Sequence, residues 1–478
     1  MTTSTVEASL GATSVEPGSF RDRTARVFYC DGSVFRGLSS SAWDEWQSVA
    51  ATSFFKHGVE TGRIVATEVA SSVQAHGADL PFEWAAVLRH QTIPFVAYPY
   101  EWCFGMLKRA ALLQLELLEA ALAEGMTLKD ATPFNLQWIG SSPIFIDVAS
   151  FVRWRPGQPW AGYRQFCRMF LYPLFLQAYK GVPFHPWLRG RLDGIGADEC
   201  RRMMSWRDMF RAGVLSHVVA QSRFERHYAG TGREIRRELQ HAGFDKRLIA
   251  ANLAGLKKLV TGLTWVPSAS AWSNYVCLNS YDHDGSSAKE RFVEAVLASK
   301  KHRIVWDLGS NTGRFAKLAA RFADYVVAID SDHESIERLY NELRQETRQN
   351  ILPLVMDLSD PSPGLGWRGA ERRPLLQRGP PDLVLCLALI HHLAITSNIP
   401  IADLVDWFAD VGADLVIEFP TPDDAMVKRL LINKDSVYAD YCVEYFENAL
   451  GTRFDIRDRL VLPSGTRVLY YATPKGTR

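Results

Sequence analysis

The stretch at 303–332, RIVWDLGSNTGRFAKLAARFADYVVAIDSD, decides how the rest of the chain is read. Ile304, Val305 and Trp306 form a short apolar run of the kind seen in a buried strand. Asp307, Gly309 and Gly313 mark a turn, 315–322 reads as an amphipathic helix, and 326–329 is a second apolar run ending in Asp330. The product is a βαβ unit with a carboxylate at the end of its second strand, about 20 residues beyond the glycine turn, as a ribose-binding crevice requires.

Glycines matter at such a turn because a ligand can touch backbone only where no Cβ intervenes, and because a tight strand-to-helix turn needs positive φ. The pattern is D-x-G-x-N-x-G, with Asn311 where a second glycine is usual and the acid placed before the glycines. It departs from the dinucleotide fingerprint G-x-G-x-x-G. It resembles motif I of class I S-adenosylmethionine (SAM) methyltransferases, with one glycine replaced. The resemblance implies SAM as cofactor, held by the loop of Asp307, Gly309, Asn311 and Gly313, with Asp330 taking the ribose hydroxyls.

Downstream the alternation continues. A helix is expected over 333–349, a strand over 351–356 and then Asp357-Leu358, where the resemblance implies contact with adenine. Residues 361–381, rich in glycine, arginine and proline, read as a surface insertion. A fourth strand over 382–386 leads into Ile390, His391, His392 and Leu393; a helix follows over 401–411, and a fifth strand over 413–419 carries Glu418 near its end. Residues 453–459 and 466–472 read as a terminal antiparallel hairpin, making seven strands. Upstream of the glycine turn, aromatic residues, Ser287 and a helix with Lys289 and Phe292 resemble the lead-in that this family folds over its cofactor, with Tyr281 the candidate for the methionyl end or else a core aromatic. The resemblance covers about 273–474.

If the methyl acceptor is a hydroxyl, a base must take its proton. His391 and His392, just past the fourth strand, are the candidates, and Glu418 is the group to orient an imidazole or bind a substrate hydroxyl. Consecutive helical residues point about 100° apart, so only one histidine is expected to face the acceptor, and His392 is favoured. The competing readings are capping or packing for the histidines and a salt bridge for Glu418.

The front of the chain suggests a hairpin turning at Asp31-Gly32, a helix from Ser41 through Trp43, Trp46 and Val49, strands over 64–69 and 85–90, and a long apolar helix over 104–124. Next comes LKDATPFNLQWIGSSPIFIDVASF at 128–151. Asp130, Asn135 and Asp147, the last after a short hairpin, resemble the catalytic segment of protein-kinase-like phosphotransferases. A glycine-rich nucleotide loop and a V-A-I-K lysine are both missing, Lys56 being a poor substitute, so the expectation is a kinase-like domain that no longer transfers phosphate. Together with the motifs at 390–393 and 417–431, this segment resembles a bacterial two-part methyltransferase family that includes host-specific nodulation proteins of rhizobia.

Composition narrows the choice. The 478 residues exceed one ordinary core. With 54 basic and 53 acidic residues the net charge is +1, which provides no concentrated field for nucleic acid. Seven scattered cysteines without a C-x-x-C pair read as reduced thiols in a cytoplasmic protein, and support neither a metal site nor a disulfide framework. No stretch is apolar for long enough to span a membrane.

The expected architecture is α/β: a disordered tail over 1–25, a kinase-like α+β domain over 26–240 that binds acceptor or regulates, a helical connector over 241–272, and a Rossmann-like seven-stranded methyltransferase domain over 273–478. The expected activity is methyl transfer from SAM to a small-molecule or glycan acceptor, at oxygen. Methylation of protein or RNA, a non-catalytic binding protein, and a small-molecule kinase are the alternatives. No oligomeric state is implied.

Overall fold

The computed structural model describes residues 13–70, 84–227, 245–266, 283–347, 350–432, 434 and 438–476. In the front half, strands Ser14–Val15 (β1), Ala25–Cys30 (β2), Ser33–Leu38 (β3), Thr67–Val69 (β4) and Ala86–His90 (β5) form an antiparallel sheet in the order β1-β2-β3-β5-β4. The β2–β3 hairpin turns at Asp31, φ 49°, and Gly32, φ 72°. Two successive positive φ angles match the twist of a two-residue hairpin. Ser39 caps helix Ser40–Ala51 (α1) by accepting from the Ala42 amide, and Trp46 and Val49 face the core. Of the strand expected over 64–69, only β4 pairs as one, and Ile64 makes a lone bridge to Phe145.

The tail expected over 1–25 is corrected at its later residues. There β1 pairs with β2, and Glu16 accepts from the Tyr29 hydroxyl at 2.5 Å and from Arg373 at 2.7 Å. Small polar residues carry no period to read, and order comes to them from distant partners.

Helix Phe104–Ala123 (α2) is apolar around most of its circumference and is buried accordingly, through Leu107, Ala110, Ala111, Leu115 and Leu118 among others. Strands Met126–Leu128 (β6), Leu136–Ile139 (β7), Ser142–Phe145 (β8) and Phe151–Arg153 (β9) make two small antiparallel pairs, β6 with β9 and β7 with β8. A short helix, His185–Gly190 (α3), lies further along the front half. Within the stretch expected as a connector, helix Lys246–Gly262 (α4) packs along α2 by Ile249, Leu253, Leu256 and Val260, with Lys257 on Glu119 at 2.5 Å.

The second half contains His283–Ala298 (α5), His302–Leu308 (β10), Arg314–Ala319 (α6), Ala323–Asp330 (β11), His333–Leu343 (α7), Ile351–Val355 (β12), Leu383–Cys386 (β13), Ile401–Val411 (α8), Asp414–Pro420 (β14), Phe454–Val461 (β15) and Arg467–Pro474 (β16). Its sheet has the order β12-β11-β10-β13-β14-β16-β15. The first five of these are parallel, and β16 runs antiparallel between β14 and β15. Chain order reverses between β10 and β13, which opens a crevice beyond their carboxyl ends.

The two halves are joined by polar contacts, some of them buried. The Tyr325 hydroxyl, on β11, accepts from the Gly140 amide at 3.0 Å and donates to the Trp138 carbonyl at 3.3 Å. Glu337 of α7 accepts from the Gly105 amide at 2.8 Å. Of residues 361–381, expected on the surface, 366–370 are exposed, but the end of the stretch enters the front half: Arg378 is 1% exposed, hydrogen-bonded to Glu101 and stacked over Phe95 and Tyr98. An arginine-rich stretch reads as solvated, but a guanidinium can be buried where a carboxylate and aromatic faces replace water. Among the described residues no helix is long and apolar enough to cross a membrane.

Candidate functional site

The crevice begins at the turn from β10 to α6. Gly309 and Ser310 both donate their amides to the Ile329 carbonyl, at 2.8 and 3.0 Å, which ties the turn to the end of β11. Gly313 has φ 81°, and a Cβ there would lie 2.5 Å from Leu339 of α7, so glycine lets the helix start pack against its neighbour. Asn311 takes φ 49° and its side chain accepts from the Thr312 amide at 2.7 Å. Asparagine tolerates this left-handed region better than most residues, which accounts for its standing in a glycine's place.

Asp330 sits at the carboxyl end of β11 and accepts the amides of Asn311 and Asp332, each at 2.8 Å and each on a different oxygen. Every carboxylate oxygen has a second lone pair, so both can still accept a hydroxyl. Burial raises the pKa of Asp330 against the opposing pull of these amides. Asp357 lies beyond β12, exposed, its carboxylate accepting the Ser359 amide and hydroxyl at 2.8 and 2.7 Å, and Leu358 beside it is half-buried. Tyr281 lies outside the described residues.

Asp307, at the end of β10, is 2% exposed, and its Oδ2 has no hydrogen-bond partner. Desolvation pushes its pKa up to about 7, with Lys289 opposing and Asp330 adding to the rise. The Ser310 hydroxyl is likewise buried and unpartnered. Buried polar atoms without partners are uncommon in folded chains and need an explanation.

Past β13, Ala388 adopts φ 54°, a left-handed alanine that the sequence did not signal, and the chain then turns into the two histidines. Such strain concentrates where backbone is held for function. His391 is fully buried with both ring nitrogens unpartnered, and burial holds it neutral. Its ring centroid lies 4.1 Å from that of His392, whose pKa is lowered to about 4 by desolvation and then by Arg467. An imidazole expected to titrate near 6.5 is therefore already deprotonated well below neutrality.

Glu418 is fully buried on β14. It accepts from Lys289 of α5 at 2.6 Å and from Arg467 of β16 at 3.2 Å, and Arg467 also binds Asp424 at 2.7 Å. Sequence reasoning named Lys289 only as part of the lead-in helix, without its pairing to Glu418, and did not name Arg467. Lys289 stands in a run of three charges, Lys289-Glu290-Arg291, so nothing in the sequence singled out its burial or its pairing with Glu418, and Arg467 carried no signal either.

In the front half, Asp147 is paired with Arg36 of β3 at 2.8 Å. Desolvation and then the nearby Asp147 raise the pKa of Asp130, and the Asn135 side-chain amide nitrogen is buried without a partner. Among the described residues no group of three or more His, Cys, Asp or Glu is arranged to hold a metal ion.

No family model matches the chain. It is 34% identical over 455 residues to nodulation protein NoeA of Rhizobium meliloti (strain 1021), a match spanning 95% of this chain and 94% of that protein. Similar solved structures include the N-methyltransferase NodS from Bradyrhizobium japonicum WM9 in complex with S-adenosyl-L-homocysteine, at 13% identity and TM-score 0.31 over 43% of this chain and 100% of that one. A SAM-dependent methyltransferase from Clostridium acetobutylicum ATCC 824 matches at 16% identity and TM-score 0.30 over 42% of this chain and 96% of that one.

Proposed function

The chain belongs to the family of nodulation protein NoeA, and from that premise we propose that it is a SAM-dependent methyltransferase acting on a small-molecule or glycan acceptor, at oxygen. The observation that carries the reading is the crevice at the strand-order reversal, where a Cβ-free loop at Gly309 and Gly313 faces an acid, Asp330, with lone pairs to spare. The unpartnered Asp307 Oδ2 and Ser310 hydroxyl fit the same ligand, since it brings an ammonium and several donors.

In this reading Asp330 holds the ribose hydroxyls, Asp357 and Leu358 the adenine, the 309–313 loop the backbone-facing edge, and Asp307 and Tyr281 the methionyl end. Bound SAM supplies an electrophilic methyl group on a sulfonium, and alignment of the acceptor atom is the main rate term. For a hydroxyl acceptor, His392 is the base; it is neutral at physiological pH and so able to take a proton. His391 packs beneath it. Glu418, engaged by Lys289 and Arg467, serves chiefly to hold that pair in place.

The front half, over 26–240, is read as a kinase-like α+β domain without phosphotransfer that binds the acceptor or regulates. Its support is the five-stranded antiparallel sheet ahead of α2 and the β7–β8 hairpin between Asp130 and Asp147. The pairing of Arg36 with Asp147 argues against metal binding there. The setting is cytoplasmic in this reading.

Titration calorimetry with SAM, and separately with magnesium and ATP, tests the proposal. Binding of SAM without ATP is expected, and Asp330→Ala should weaken it by about 1.5–3 kcal/mol, the range for hydrogen bonds to a charged group. Unchanged affinity in a folded Asp330→Ala protein would show that the crevice is misassigned.

A further inference from the structure

Helix α3 of the front half carries His185 and Arg189, four residues apart and so on one face. Each touches a different loop of the crevice. The His185 ring lies 4.3 Å from that of His333 in an edge-on contact, and His333 opens α7 three residues after Asp330. His185 is itself held on both sides: Nε2 donates to the Trp102 carbonyl at 2.9 Å, and the ring stacks on Phe184 at 4.2 Å. Arg189 binds the Asp360 carboxylate with two hydrogen bonds of 2.9 Å and reaches its carbonyl at 3.3 Å.

Asp360 closes the loop that follows β12. Its amide donates to the Asp357 carbonyl at 3.1 Å, while the Asp357 carboxylate takes the Ser359 amide at 2.8 Å. Residues 357–360 are therefore a tight turn fixed locally and anchored from outside by Arg189. The loop at 330–333 is fixed in the same manner, by Asp332 capping α7 and by His185 packed against His333. A two-pronged arginine–carboxylate bond fixes orientation as well as distance.

We infer that α3 is a positioning element for the nucleoside half of the cofactor, its His185 and Arg189 holding the two loops that carry Asp330 and Asp357. This rests on the SAM reading above. It makes the front half part of the cofactor site, in addition to any role toward the acceptor.

The test measures affinity for S-adenosyl-L-homocysteine and for adenosine alone, by calorimetry, in the full chain and in Asp330→Ala, Arg189→Asp, Asp360→Arg and the double exchange Arg189→Asp with Asp360→Arg. Thermal melts accompany each variant. The single exchange at 189 should weaken both ligands by the same factor, about two- to fivefold for a lost exposed ion pair, and the double exchange should restore binding to about the parent value. A merely structural role would lower the melting temperature without recovery of affinity in the double exchange. Unchanged affinity in Arg189→Asp, or loss without recovery in the double exchange, overturns the inference while binding by the parent chain and its loss in Asp330→Ala leave the cofactor reading standing. Absence of binding by the parent chain overturns both.

Discussion

Arg378 and Glu101 lie 277 residues apart in sequence and meet in near-complete burial, joined by two hydrogen bonds of 2.8 Å. Glu101 also accepts from the Tyr98 amide at 2.9 Å and the Ser362 hydroxyl at 2.5 Å, so one carboxylate ties the 361–381 stretch to the front half. Removing the cation alone strands a buried charge. Arg378→Met should cost about 3–5 kcal/mol of stability, and adding Glu101→Gln should return part of it. Urea unfolding, followed by tryptophan fluorescence and circular dichroism together, measures both; equal stability of Arg378→Met and the parent would contradict the role given to this pair.

Asp307 makes stability depend on pH. In the folded chain its pKa is about 7, against 3.8 as the ordinary value. Between those values the folded state keeps a proton that the unfolded state has released, so this contribution is full below about pH 4 and is lost as pH rises through about 7. Asp307→Asn should match the parent near pH 4, begin to exceed it as pH rises above that value, and melt higher than the parent near pH 8. A variant that loses more stability than the parent over that interval would show that the carboxyl is ionised in the fold.

The pH profile of methyl transfer distinguishes His392 from an ordinary imidazole. With a pKa of about 4 it stays deprotonated through neutrality, so kcat at saturating SAM, where titration of Asp307 no longer limits binding, should be flat from pH 5 to 8 and fall only on further acidification. A base with the usual value would give a rise near 6.5. His392→Ala should lower kcat by about 10²–10⁴-fold while leaving SAM affinity nearly intact. Full turnover in both His392→Ala and His391→Ala would remove the base assignment and leave alignment, or Glu418, to carry the reaction.

Arg36 bears on the front half. Its guanidinium neutralises Asp147, the residue that a phosphotransferase would use for metal. Magnesium-dependent ATP turnover should be absent from the full chain. Turnover that Asp147→Ala abolishes would revive the kinase reading.

Much of the second half was legible because its signals are local. Alternating apolar runs, a glycine turn and a terminal acid lie within 303–332, and each is set by backbone sterics and side-chain period over a few residues. The Asp31-Gly32 hairpin and the buried α2 were readable for the same reason. The ordered 13–25 segment and the burial of Arg378 within 361–381 were not, because polar and basic residues look alike in sequence whether water or a distant partner surrounds them. The histidines were found by position, but their low basicity comes from burial and from Arg467, a residue far along the chain.

The sequence by itself determined the βαβ crevice, with Asp307, Gly309, Asn311, Gly313 and Asp330 in their order, because the turn and its acid are built by neighbours along the chain. Only the tertiary structure decided the partners of the charges: Arg378 on Glu101, Arg36 on Asp147, Lys289 and Arg467 on Glu418, and Arg189 on Asp360. A charge can be buried wherever the fold brings an opposite one within hydrogen-bond reach, and that depends on how whole elements pack rather than on the residues beside it.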